Sequence, residues 1–216
     1  MTPTTPLTSS TRLLTRLASW KIWIASALIL VPLAWMFFAS SASFAVPEVE
    51  AACGQAPPDM RFFTTADGVT QFLDECGPGG RDVYRSMQLV DIFYPAVVGV
   101  FLASSLSLAV RRLFPHLGPA LWLVALPLAG AAFDYLENAL AWLALASYPD
   151  PVVTSNLLGV ASAAKTSTSW VAGLTLVAAL VALTARVGRA WLSGATAETT
   201  RAPHPSDERE AVGSAS

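Results

Sequence analysis

Asp134, Glu137 and Asn138 are the positions where this sequence could do chemistry. They stand at i, i+3 and i+4, a spacing that gathers side chains on one side of an α-helix. Their neighbours are apolar, and a charged side chain deep in a bilayer costs at least ~2.5 kcal/mol on insertion scales. Such groups turn inward, find partners or hold a proton. Two carboxylates so close in a poor dielectric do not both ionise readily. A carboxyl in that state could act as acid or base on a lipid-soluble substrate. It could also bind a polar ligand. The same residues could simply tie helices together, with Gly130 and Ala141 allowing close approach.

The elements that must position these residues are membrane spans. The chain is 54% hydrophobic and 13% charged, whereas soluble domains average about 25% charged. No basic patch with interleaved aromatics exists, which excludes nucleic acid as a partner. Segments 22–39, 89–110, 121–146 and 166–185 are each apolar and long enough for a hydrocarbon core of ~30 Å. Arg12, Arg16 and Lys21 precede the first, Arg111 and Arg112 separate the second from the third, and Arg186 and Arg189 follow the fourth. These flanks share one side, which the positive-inside rule makes cytoplasmic. The loop 46–87 is rich in Asp and Glu and belongs outside.

The expected fold is therefore all-α, an antiparallel four-transmembrane-helix bundle over 20–190 with a partly helical extracytoplasmic loop. Segments 1–19 and 191–216 are expected to be disordered cytoplasmic ends of a multi-pass cell-membrane protein. Trp20, Trp23, Trp35, Trp122 and Trp142 suit aromatic belts at the two boundaries. The first span, with its basic flank and the small-x-small triplet Ser43-Phe44-Ala45, also resembles a cleavable signal peptide. Its length favours retention as a helix, and cleavage would leave the loop on the same side.

Within the outer loop, Val69, Phe72, Leu73 and Cys76 recur at helical spacing. Thr65 or Asp67 could cap this helix, and Gly77-Pro78 ends it. A second helix from Gly80 puts Arg81, Tyr84, Gln88 and Asp91 on one face, and Pro95 predicts a kink below it. Cys53 and Cys76 are the only cysteines, and an oxidising side makes them a disulfide.

With Trp122 and Trp142 as boundaries, Asp134 lies ~12 Å and Glu137 ~7 Å beneath the outer surface. Asp91 and Lys165 fall at the outer edge. Lys165 can reach inward to Glu137 or extend to the headgroups. The candidate site is a polar pocket opening outward, lined by Arg81, Tyr84, Asp91, Asp134, Glu137, Asn138 and Lys165. His116 and His204 lack companions for a metal site, and no cofactor motif or recognisable catalytic motif is present.

The run Phe62-Phe63-Thr64-Thr65, Phe72-Leu73, Gly80-Arg81-Asp82-Val83-Tyr84, Asp91 and Pro95 resembles a family of uncharacterised bacterial four-helix integral membrane proteins. Their pattern is G-R-x-x-Y leading into a span with Asp and Pro, then an intramembrane D-x-x-E-N, then a Lys heading the last span. Asp134-Tyr135-Leu136-Glu137-Asn138 and Lys165 match the later parts. The resemblance covers about 62–186. It departs at Val98, where an aromatic is expected, and in the added Cys53 and Cys76. It implies the architecture and the polar residues, and it implies no reaction.

Three functions compete. The first is binding of a lipid or a small hydrophobic or amphipathic ligand in the outer pocket, or a purely structural use of the same network. The second is a membrane enzyme using Asp134 and Glu137 as acid and base. The third is a proton or ion carrier, which the apolar inner half and the absence of an inverted repeat disfavour.

Overall fold

The computed structural model describes residues 16–114, 121–150 and 152–200. Arg12, His116 and His204 lie outside the described residues. Every regular element described is helical, with no strand. The chain divides into two units, 1–179 and 180–216. The site belongs to the first; the described part of the second is helix.

Helix α1 (Trp20–Phe38) is 19 residues long, about 29 Å at 1.5 Å per residue. It runs beside α4 (Tyr94–Leu113), where the Trp23 indole donates to Ser105 Oγ at 2.9 Å. At its other end Phe37 is fully buried and stacks on Tyr94, with ring centroids 5.7 Å apart.

A cap follows α1. It comprises α2 (Val46–Cys53), a 3-10 turn (Pro58–Met60) and the first half of α3 (Ala66–Asp91). Thr65 caps α3 by accepting from Gly68 N at 3.2 Å, so of the two expected caps this one is used. The helix breaks at Gly77, whose φ of 60° is open to glycine and strained for other residues. It resumes at once through Pro78. The Cys53–Cys76 disulfide pins α2 beside that break. A Cβ on Gly80 would stand 3.2 Å from both Cys53 Sγ and the Ala52 oxygen, so the absence of a side chain lets the disulfide pack there.

One apolar core joins the cap to the helices beneath. Val49, Val69, Phe72, Leu73 and Met87 meet Leu140, Ala144 and Leu145 of α5 (Leu121–Ser147) and Leu158 and Ala161 of α6 (Val152–Thr200). Between α3 and α4 the helix ends at Ile92–Phe93 and restarts with Pro95 in its first turn. Ile92 and Phe93 keep right-handed helical backbone, so the expected kink is a local interruption of the hydrogen-bond ladder.

Two helix limits differ from expectation. α6 begins at Val152 rather than near 166, because Leu158 and Ala161 are buried against the cap. It also continues to Thr200, into the stretch assigned above to a disordered tail.

Three helical stretches are long and apolar enough to cross a membrane: Trp20–Phe38, a run within Ala66–Leu113, and Asn156–Trp191. α5 has the length, 27 residues, or about 40 Å. Asp134, Glu137 and Asn138 lower its mean hydropathy.

Candidate functional site

The site gathers side chains from every element around the cap's floor. α5 supplies Asp134, Glu137 and Asn138 from one face. Ser162 and Lys165, three apart on α6, face them. Tyr84, Gln88 and Asp91 descend one side of α3. The 3-10 turn adds Asp59, which lies between Pro58 and Met60 and is 2% exposed.

Lys165 is the hub. Its ammonium forms an ion pair with Glu137, lies 3.5 Å from Asp134 Oδ1, and donates to the Asp59 backbone carbonyl at 3.0 Å. The second Glu137 oxygen accepts from the Ser162 hydroxyl. One ammonium therefore joins α5, α6 and the cap. Glu137 is fully buried, while the side chains of Asp134 and Lys165 each keep 16% exposure. Lys165 thus takes the inward of its two expected positions.

The Asp59 carboxylate is held from α3. Tyr84 donates its hydroxyl to Oδ1 at 3.2 Å, and Gln88 Nε2 donates to Oδ2 at 2.9 Å. Burial lifts the Asp59 carboxyl above its ordinary range, with Lys165 nearby opposing the shift. Asn138 Nδ2 reaches the Asp91 carbonyl at 3.4 Å, and Tyr135 donates to the Ile92 carbonyl at 2.9 Å. Both contacts tie α5 to the interruption between α3 and α4. Gly130 lies where a Cβ would be 3.4 Å from Thr168 Oγ1 and 3.3 Å from Ser169 Oγ, so α5 and α6 approach closely below the cluster.

Donors and acceptors do not balance. Asp134 and Glu137 share a single ammonium, which also serves the Asp59 backbone carbonyl. Gln88 Oε1 and Asn138 Oδ1 are buried and accept no hydrogen bond from the described residues. Among those residues no group of His, Cys, Asp and Glu is arranged to hold a metal ion.

Six of the seven residues singled out in the sequence converge here or line its edge; Arg81 does not. Its guanidinium donates to the Leu73 carbonyl at 2.7 Å and sits 4.3 Å above the Tyr148 ring. Tyr148 in turn donates to Asp74 at 2.6 Å, a bond that raises its phenol above the usual range. Arg81 therefore clamps the α3 break to the end of α5. It stands one turn above Tyr84 along α3, within reach of Leu73 and Tyr148 and too high to join the cluster.

Sequence reasoning missed Asp59 and Ser162 and did not single out Gln88 as a site residue. Ser162 and Gln88 were legible, by i, i+3 and i, i+4 spacing from Lys165 and Tyr84. Asp59 had no such signal, being one acid among many in a loop without periodicity.

No protein-family model, curated protein or solved structure matches this chain. The functional reading rests on the geometry just described.

Proposed function

We propose that the chain is a four-span membrane protein with both termini cytoplasmic, whose cluster beneath an extracytoplasmic cap binds the hydrogen-bond-donating end of a small amphipathic ligand. The observation that carries this is that Gln88 Oε1 and Asn138 Oδ1 are buried and accept no hydrogen bond from the described residues. A network serving only to pack helices would be stabilised by closing every acceptor, since an unpaired buried acceptor costs about 1–3 kcal/mol. Here two buried amide oxygens in the network lack a donor, and the carboxyls of Asp134 and Glu137 share the one Lys165 ammonium.

The charged residues of α5 turn toward partners on α6 and the cap, which makes α5 acceptable as the fourth span. The Cys53–Cys76 disulfide suits an oxidising compartment for the cap. This reading also groups the chain with the four-helix membrane proteins it resembles. Acid–base catalysis is less well supported, because Glu137 is fully buried. For a carrier, the buried polar side chains of α4 toward the Arg111–Arg112 end are Ser104 and Ser107, which hold no titratable group.

Native mass spectrometry of the gently extracted protein, beside an Asp134→Asn/Glu137→Gln variant, tests the reading. A discrete bound molecule on wild type and its absence from the folded variant are expected. Identical nonspecific lipids on both proteins, with the variant merely melting earlier, would make the cluster structural and end the binding proposal.

A further inference from the structure

The turn that delivers Asp59 to the cluster has a second face. Asp59 is buried and its carbonyl is held by Lys165, and Thr64 closes the segment by donating its hydroxyl to the Pro58 carbonyl at 3.2 Å. Between these fixed points Phe62 and Phe63 are 62% and 50% exposed. Arg61, beside them, does not screen them. Its guanidinium turns back to Gln55 and to the Ala56 carbonyl, 2.8 Å away.

What covers these rings is indicated by where the segment sits. Phe63 and Thr64 lie directly on α6 at Gly159. A Cβ there would fall 3.1 Å from Phe63 Cε2 and would collide with the Thr64 oxygen. Gly159 belongs to the apolar run Asn156–Trp191 that is long enough to cross a membrane. Its neighbours Leu157 and Val160 are themselves 54% and 59% exposed. Leu157, Val160, Val171 and Leu174 stand at i, i+3, i+14 and i+17, which share one helix face, and all four are exposed. The two phenyl rings thus extend the lipid-facing surface of α6 past Lys165. Gly159 is six residues from Lys165, about 9 Å along the axis, which places it near the outer limit of the headgroup layer, roughly 5–8 Å deep on each side of a hydrocarbon core of ~30 Å.

We infer that Phe62 and Phe63 insert into the leaflet on the cap side, so that the turn closing the polar cluster is fastened to lipid on its outer face. Apolar side chains of monotopic segments sit 5–10 Å into the boundary between headgroups and acyl chains, as a rough guide. The inference depends on the membrane reading and is independent of any ligand in the cluster. The lid over the cluster would then respond to the surrounding lipid as well as to Lys165.

The test uses the full chain in liposomes containing a phospholipid with a diazirine on its acyl chain near the glycerol, with peptides mapped after irradiation. Carbene adducts on Phe62 and Phe63, together with adducts on exposed residues of α1 and α6, are expected. Phe62→Ser/Phe63→Ser should lose the former and keep the latter. Adducts on α1 and α6 with none on the loop of wild type would overturn the inference while leaving the membrane reading intact. So would a cross-link from Phe62 or Phe63 to a second copy of the chain in place of lipid adducts. Failure of α1 and α6 to label would instead reject the membrane reading itself.

Discussion

Replacing Lys165 by Met removes the donor shared by Glu137, Asp134 and the Asp59 carbonyl. Breaking a buried ion pair by deleting one partner costs about 3–5 kcal/mol, because the surviving charge stays buried. Lys165→Met should therefore lower thermal stability more than Glu137→Gln does, and the double variant should recover part of the loss. Melting curves of the three proteins in one detergent decide this. Strict additivity would mean that the two side chains do not act as a pair.

Asp59 allows a prediction about pH. Burial raises its folded carboxyl above the ordinary 3.8, so the folded protein binds that proton more tightly than the unfolded chain does. The stability linked to this group is fully present below pH 3.8 and is lost as pH rises through the higher folded value. The difference in melting temperature between wild type and Asp59→Asn should change in that direction across the acid range. A difference independent of pH would show that Asp59 titrates alike in both states.

At the scale of elements, glycines and the disulfide set how closely the cap descends on the helices. Gly159→Ala drives a methyl group into the Thr64 backbone; overpacking of this kind costs about 1–3 kcal/mol. The variant should melt earlier and expose the cluster, whereas Gly173→Ala, with open space around it, should be neutral. Equal effects at the two positions would contradict the seating of the cap on α6. Reduction or removal of the Cys53–Cys76 bond, which closes a separation of 23 residues, should cost ~3 kcal/mol in the chain-entropy model. Thermal unfolding with and without reductant measures it.

Legibility in the sequence followed periodicity at this scale. α3's apolar stripe, its Thr65 cap and its Gly77 break are local events, and all were readable from Val69, Phe72, Leu73 and the turn residues. So was the D-x-x-E-N face of α5. Tertiary burial is not local. It extends α6 back to Val152 through Leu158 and Ala161, brings Asp59 beneath the cap, and sends Arg81 to Tyr148 instead of the cluster. Each depends on where another element lands, and spacing along one segment does not carry that information.

At the scale of the whole molecule, the proposed function requires a charged hub inside a membrane bundle, closed by a cap. Lys21 and Lys165 are the only lysines in the chain, and they probe both claims at once. Lys21 belongs to the basic flank before α1, and Lys165 lies beneath the cap with its side chain 16% exposed. The most direct measurement is acylation by a membrane-impermeant amine reagent on right-side-out and inside-out vesicles, with labelled lysines identified by mass spectrometry. With the proposed topology, Lys21 reacts only in inside-out vesicles. Lys165 should resist the reagent from both sides, and should become reactive from outside once Asp134→Asn/Glu137→Gln loosens the hub. Rapid labelling of Lys165 in folded wild type from outside would show a lysine extended to the headgroups, and would contradict the hub on which the site is built.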